Sequence, residues 1–493
     1  MNLDSLICSQ ARLSRDARFD GRFFIGVKTT RIYCRPICPV RTAKEQNVRY
    51  FPTAAAAAEA GYRPCLRCRP ESSPGTPAWF GTSTTVSRAL RLISENVMEN
   101  EGVEDLAARL GIGSRQLRRL FLRHLGASPL AVAKTCRLHF AKRLIDETNL
   151  PMGQIALAAG FGSVRRFNAA FRNSYKRTPS QIRRFGHSAS QRAENEYLFR
   201  LHFRPPFNWQ ALLEFLARRA IPGVEAVETE TYSRTISLNG DAGSLSVSLD
   251  PNISALQVRI SFPEPRWLFL IIERVRRMFD LGADPNEIAA RLAADPLLAR
   301  RVKATQGLRV PGCWDGFELA VRAVLGQQVS VTGASTLAGR LVRTFGRPIN
   351  LNPPLTHLFP PPHVLVDADV ARIGLPKKRA ETVRAMARAV IDGRILFTAI
   401  DNVEEFRARL LEIAGIGEWT AQYISMRALS DPDAFPASDL GLLRSASFHS
   451  ARELAERAEA WRPWRAYAGM YLWQGDAQTG EHGEALRARA ATL

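Results

Sequence analysis

Four of the chain's seven cysteines stand in two close pairs, Cys34-Arg-Pro-Ile-Cys38 and Cys65-Leu-Arg-Cys68, with 26 residues between them. No other feature restricts its surroundings so strongly. Each short-spaced pair can grip one ion from a tight turn, and four thiolates satisfy a tetrahedral zinc. Disulfides are the alternative, and they need an oxidising compartment. The opening stretch MNLDSLICSQARLSRDARFD has no uninterrupted apolar segment and does not read as a signal peptide. No apolar run approaches the ~18 residues of a membrane-spanning helix. A reducing cytoplasm is therefore expected, with one zinc ion on Cys34, Cys38, Cys65 and Cys68. Cys8, Cys136 and Cys313 are scattered and read as plain free thiols.

A chain of 493 residues has room for three to four domains. Its 68 Lys and Arg against 47 Asp and Glu give a net charge of +21, which points to a polyanionic partner. The excess is concentrated. Residues 1–190 carry 31 basic and 13 acidic side chains, and the remaining 303 carry 37 and 34. Residues 151–190 hold seven basic side chains and no acid. A solubilising tail is the alternative to a nucleic-acid module, but helical apolar spacing in the same segment opposes it. Arg31, Arg35, Arg41, Arg63, Arg67 and Arg69 crowd the cysteine pairs. Zinc and arginine both favour the thiolate, which is the nucleophile. Beside DNA phosphates, such a thiolate could attack an alkyl group carried on them.

Ser72-Ser73-Pro74-Gly75-Thr76-Pro77 reads as a linker. An internal repeat follows. Gly111-Ile112-Gly113-Ser114 is echoed by Gly160-Phe161-Gly162-Ser163, and, after a slip of one residue, Leu117, Phe121 and Ser128-Pro129 recur as Phe167, Phe171 and Thr178-Pro179. Each copy has an apolar helix, a glycine turn and a second helix opened by serine, a good N-cap. This is helix-turn-helix geometry. Arg115, Gln116, Arg118 and Arg119 fall on the second helix of copy one, and Val164, Arg165, Arg166 and Asn168 on that of copy two. Arg, Asn and Gln suit guanine and adenine edges in the major groove. Leu106, Leu110, Leu117, Leu120, Phe121, Ile155, Phe161, Phe167 and Phe171 are the expected core; a helical bundle with a basic face is the alternative.

Beyond residue 195 the pattern changes. Tyr197–Phe203, Thr235–Leu238, Leu245–Leu249 and Leu256–Ile260 alternate as strands, with helical spacing at Trp209–Arg219 and Trp267–Asp280. Residues 308–493 read as mostly helical. There Gly415-Ile416-Gly417 lies between two apolar helices, a helix-hairpin-helix whose backbone N–H groups can hold a phosphate. About twenty residues on comes Phe435-Pro436-Ala437-Ser438-Asp439-Leu440. A carboxylate beside a DNA-gripping hairpin suggests glycosidic bond chemistry, because an anion stabilises the oxocarbenium-like sugar.

Two resemblances sharpen these readings. Phe23–Cys38, with Tyr62-Arg63-Pro64-Cys65-Leu66-Arg67-Cys68, resembles the N-terminal zinc domain of the Ada adaptive-response regulators. The resemblance implies that Cys34 takes a methyl group from a DNA methylphosphotriester, irreversibly. One thiolate charge is then lost, the centre goes from about −2 to about −1, and repulsion from the DNA backbone falls. The tandem repeat resembles the AraC-type DNA-binding domain. Residues 195–480 resemble the AlkA-type 3-methyladenine glycosylases, through Leu308–Glu318, Ala323–Ser330, the hairpin, Trp461–Arg465 and Tyr471-Leu472-Trp473. This implies Asp439 as the catalytic carboxylate and Trp419, Tyr423, Trp473 and Gln327 around an extruded base, with Gly415, Gly417 and Gln328 on DNA. Electron-rich rings attract a base made cationic by alkylation. Trp419 stands where superfamily members with a lyase step carry lysine, so water is the expected nucleophile. Gln328 stands where the family can place an apolar wedge, and Ser438 where a second acid can occur. The Pro-Cys-His-Arg stretch of a second methyl-acceptor domain is absent, so no repair of O-methylated guanine is expected.

The expected architecture is multidomain, mostly α with α+β parts. It comprises a small zinc domain (1–75), a tandem helix-turn-helix helical domain (80–186), an α+β domain (195–305) and a helix-hairpin-helix glycosylase helical domain (306–493). The expected function is bifunctional: methyl-switched transcription activation and excision of alkylated purines. The alternatives are a regulator with a catalytically silent C-terminal domain, and a glycosylase whose N-terminal half is only a DNA clamp. Expected partners are damaged and promoter DNA and RNA polymerase, with no membrane, for a cytoplasmic, nucleoid-associated bacterial monomer.

Overall fold

The computed structural model describes residues 4–74, 84–94, 102–185, 195–397 and 402–474. Of the expected linker, residues 75–77 lie outside the described residues, as do 80–83 and 475–493. Among the described residues no helix is long and apolar enough to cross a membrane.

Near the N-terminus, strands β1 (Phe24–Val27), β2 (Ile32–Cys34), β3 (Val48–Phe51) and β4 (Arg63–Pro64) form a small sheet in the order β3-β1-β2-β4. Helix Ser5–Ser14, capped by the Asp4 side chain, covers one face through Cys8 and Ala11. Phe24, Tyr33, Phe51 and Tyr62 join a core shared with the first helix-turn-helix copy, from Val86 to Ala133. Polar contacts stitch the same seam onto helix Pro129–Glu147. The Tyr33 hydroxyl lies 2.8 Å from His139 Nε2, and burial brings the His139 pKa down to about 4. Glu71 pairs with Lys142 at 3.4 Å, and Arg69 with Asp146 and Glu147 at 3.1 and 3.0 Å.

Both helix-turn-helix copies form, with Leu106, Leu117, Phe121, Ile155, Phe167 and Phe171 buried as expected and Leu120 and Phe161 partly buried. Their second helices are Ser114–Leu125 and Val164–Tyr175. Ser163 caps the latter, its hydroxyl accepting from Arg166 N–H at 3.2 Å. Ser114 does not cap the former: it is the first helical residue, and Gly113 is the cap. The one-residue slip between the copies accounts for this correction, since it places the second serine one position earlier relative to its helix.

Strands β5 (Glu196–His202), β6 (Glu225–Glu228), β7 (Thr231–Leu238), β8 (Asp241–Leu249) and β9 (Ala255–Ser261) make an antiparallel sheet in the order β5-β9-β8-β7-β6. The expected helices run Trp209–Ala217 and Leu268–Met278, shorter by two or three residues than the apolar spacing. The sheet, the second helix-turn-helix and helix Leu268–Met278 share one apolar core, in which Phe140 and Phe269 rings lie 4.7 Å apart. Helices Pro285–Leu292 and Pro296–Ala304 pack instead with residues Met426 to Leu472. Packing therefore crosses the expected boundary at 305. Asp280 accepts from Tyr467 at 2.6 Å and Asp295 from Trp461 at 2.7 Å across it. A last core gathers helix Gly316–Leu325 with the hairpin helices.

Candidate functional site

The sheet builds the cysteine cluster. Cys34 ends β2, and the parallel pairing of β2 with β4 sets Cys65 beside it, Cys65 N–H donating to Tyr33 O at 3.0 Å. Tight turns return Cys38 and Cys68. All four sulfurs lie within 4.8 Å of one another. Hydrogen bonding from Cys34 and its neighbours holds Cys65 well below the usual thiol range, and the same contacts push Cys68 well above it. Four sulfurs so close to one another form a donor set that fits one zinc ion. Cys34 and Cys38 are half-buried while Cys65 and Cys68 are buried.

The six arginines do not act alike. Arg35 is 3% exposed and donates Nε–H to Asp20 at 2.9 Å and Nη1–H to the Cys68 carbonyl at 3.1 Å. Arg69 is spent on the acidic groups of the seam. These two are structural. Arg31, Arg41 and Arg67 are exposed and Arg63 half-buried, so these four remain for a phosphate backbone. Asp20, among basic neighbours, was the available sign.

On the recognition helices Arg115, Arg118, Arg119, Arg165 and Arg166 are exposed and Asn168 is half-buried. Arg118 pairs with Glu104 at 2.9 Å, an exposed contact that DNA can replace at little cost.

The C-terminal half holds a cleft of about 1460 Å³ into which Gln327, Gln328, Gly415, Gly417, Trp419, Tyr423, Asp439 and Trp473 all converge. Asp439 caps helix Leu440–Ala446, its Oδ1 accepting from Leu442 N–H at 3.0 Å. Trp473 Nε1–H donates to the same oxygen at 2.9 Å, and Trp419 Nε1–H to Oδ2 at 2.8 Å. Two aromatic rings expected to line the cleft thus also aim its carboxylate. Trp419 and Tyr423 stack, with centroids 5.3 Å apart and 6° between planes, and Trp473 meets Tyr423 edge-on at 6.4 Å.

The hairpin joins helix Val403–Leu411 to helix Glu418–Ala428. Gly417 caps the latter without any side-chain bond, so the helix start presents bare backbone N–H groups, a setting for phosphate. Gln327 Nε2 donates to Gly415 O at 2.9 Å and Thr420 Oγ1 at 3.1 Å, so it braces the hairpin. Gln328 is exposed with φ +54°, a strained conformation for a residue with a side chain. Thr382 and Arg427 were not foreseen. Thr382 lies far away in sequence, and its Oγ1 donates to Ala414 O at 2.9 Å. Arg427 lay within reach of the reasoning, being four residues after Tyr423 on the same helix face.

Gly415 has φ +89°, and a Cβ there would stand 2.2 Å from Thr382 Oγ1. Gly415→Ala is expected to cost about 1–3 kcal/mol in strain and to weaken duplex binding, read by thermal unfolding and DNA titration. Gly417→Ala, where a Cβ meets open space, should do much less. Equal effects would count against the hairpin geometry.

Comparison with known proteins agrees along the chain. Residues 7–71 match the metal binding domain of Ada, 106–184 a helix-turn-helix domain and 198–315 the AlkA N-terminal domain. The chain is similar to the probable bifunctional transcriptional activator/DNA repair enzyme AlkA of Mycobacterium tuberculosis, 44% identical over 476 residues, 94% of this chain and 95% of that one. It is similar to DNA-3-methyladenine glycosylase 2 of Escherichia coli, 32% identical over 279 residues, 56% of this chain and 96% of the other. Its fold matches the 3-methyladenine DNA glycosylase of Archaeoglobus fulgidus with a TM-score of 0.50 and 24% identity, covering 57% of this chain and 98% of that one.

Proposed function

The chain belongs to the family of bifunctional transcriptional activator/DNA repair enzymes of the AlkA type, and from that premise we propose residue roles for its two activities on alkylated DNA. The C-terminal half is a DNA-3-methyladenine glycosylase. The observation that carries the assignment of its chemistry is the Asp439 carboxylate, fixed by two indole N–H groups and a backbone N–H at the cleft.

A damaged nucleotide leaves the stack and its base enters between the aromatic side chains of the cleft. Trp419, Tyr423 and Trp473 favour a cationic base by stacking. The C1′–N bond breaks, its electron pair leaving with the base. Asp439 stabilises the positive charge on the sugar and accepts a proton from the water that bonds to C1′. The hairpin N–H groups around Gly415 and Gly417 hold the backbone, and exposed Gln328 occupies the gap left by the base. No lysine stands at the Trp419 position, so the reaction stops at hydrolysis.

In the N-terminal half Cys34 attacks the methyl carbon of a phosphotriester. The C–O bond breaks, and the phosphate keeps the electron pair as a diester anion. Zinc, when bound, keeps the thiolates ionised at neutral pH. The methylated cluster carries one negative charge fewer, so the exposed arginines and the recognition helices hold DNA more tightly. We take the four domains at 1–75, 80–186, 195–305 and 306–493, and we assign RNA polymerase as partner of a cytoplasmic monomer bound at promoters on the nucleoid.

Release of free base from randomly methylated duplex tests the enzyme half. If DNA is bound and no base appears, the chain is a regulator with a silent C-terminal domain. For the sensor half, wild-type footprints should sharpen after exposure to methylated DNA, by about tenfold in affinity or more. Cys34→Ala should show no sharpening; a retained switch would remove Cys34 from this role.

A further inference from the structure

Helix Glu418–Ala428 carries a graded series on one face. Trp419 touches the Asp439 carboxylate, Tyr423 stacks on Trp419, and Arg427 Nη1–H donates to the Tyr423 hydroxyl oxygen at 2.8 Å. Eight residues of helix span about 12 Å. An anion therefore stands at one end of the series and a cation at the other, with two rings between.

The cation is built in. Arg427 is 4% exposed, with Nε–H on Pro311 O at 2.8 Å and Nη2–H on Gly312 O at 3.0 Å. Arg219, its guanidinium 3.8 Å over the Phe215 ring, also lines the cleft. Neither guanidinium forms an ion pair among the described residues, whereas Arg322 beside them pairs with Glu225 at 2.9 Å. Burial alone would raise the Tyr423 phenol, but Arg427 and Arg219 outweigh it and bring it below its ordinary value. Two unneutralised cations beside a pocket that attracts cationic bases need a reason.

The reason lies in how charge moves as the bond breaks. A cationic base takes up the C1′–N electron pair and leaves neutral, while the positive charge passes to the sugar beside Asp439. An uncharged base takes up the same pair and leaves as an anion, which then gains a proton from solvent. In both cases a fixed cation beyond the base favours the state after the charge has moved. The cationic base already has a strong drive to leave, and the uncharged base does not.

We propose that Arg427, acting through the Tyr423 hydroxyl, is a positioning residue that sets substrate range: it draws electron density onto the departing base, and uncharged damaged bases depend on it far more than cationic ones. The phenol oxygen accepts from Arg427, which leaves its O–H free to act as a donor. The proposal rests on the glycosylase reading and on Asp439.

The test is single-turnover base release by the full chain from two duplexes, one with a 7-methylguanine (cationic) and one with a hypoxanthine (uncharged). Tyr423→Phe and Arg427→Met should slow hypoxanthine release at least about tenfold more than they slow 7-methylguanine release. Arg427→Lys should recover part of the hypoxanthine rate, because it restores the charge without the fork. Equal losses on both duplexes would assign the pair to packing alone and overturn the proposal. So would an unchanged ratio, or a wild type that releases only 7-methylguanine. If Arg427→Met fails to fold, Tyr423→Phe decides, since it keeps the ring. Asp439→Asn should lose both substrates. A wild type that binds both duplexes and releases neither base sinks the glycosylase reading itself.

Discussion

Asp439→Asn is expected to slow release of methylated purines by about a hundredfold or more, a barrier increase of about 3 kcal/mol, with little change in stability. Asparagine caps a helix about as well as aspartate, so the Leu442 N–H keeps an acceptor. The amide has one oxygen where the carboxylate has two. If that oxygen serves Leu442 and Trp473, the amide N–H faces the Trp419 indole N–H, donor against donor. What is lost is the anion and one aromatic tether. Alanine is the poorer test, because losing the cap alone costs about 1 kcal/mol. Single-turnover release, thermal unfolding and duplex titration together decide. A variant within about threefold of wild type would take Asp439 out of the chemistry.

Zinc removal should have the other large effect. The sheet beneath the cysteines has strands of four, three, four and two residues. So small a sheet cannot stand without help. Four thiolates on zinc bring about 10–16 kcal/mol, comparable with the whole stability of a domain. Chelation is expected to unfold residues 24–68. Phe24, Phe51 and Tyr62 share a core with Leu106, Leu117 and Phe121, so the first helix-turn-helix should loosen with it. The cleft stands on a separate core around Phe317, Val383 and Ile424 and should keep releasing base. Hydrogen exchange reads the first effect and base release the second. Protection of residues 24–68 that survives measured zinc loss would make the ion dispensable to the fold.

What sequence could show was whatever repeats or clusters along the chain. The cysteine pairs, the Gly-Ile-Gly turn and the paired helix-turn-helix copies are local patterns with local causes. Asp439, Trp419, Tyr423 and Trp473 were named, and the structure brings them into one cleft. The hydrogen bonds that join them were not legible, because Trp473 reaches Asp439 across 34 residues. Arg35 and Arg69 read as part of the basic cluster that favours the thiolate; the acids that neutralise them are Asp20 for Arg35, and Glu71 and, on another element, Asp146 and Glu147 for Arg69. Composition counts charges without pairing them. Strand β6 was missed, being four residues long and partly exposed, with little alternation to show. Packing of helices Pro285–Leu292 and Pro296–Ala304 onto the far end of the chain left no local mark either.

The core that Phe140 shares with Phe269 joins the second helix-turn-helix to the enzyme half in one packed unit. A cut between them would lay open an apolar surface running from Leu138 to Leu281. The two halves therefore share a lifetime. On the roles proposed above, Cys34 would report damage once and the cleft at Asp439 would work repeatedly, so a spent reporter would still be a working enzyme. Each molecule that settles on a promoter carries repair capacity to that stretch of the genome, and its destruction silences the signal and withdraws the catalyst in the same act.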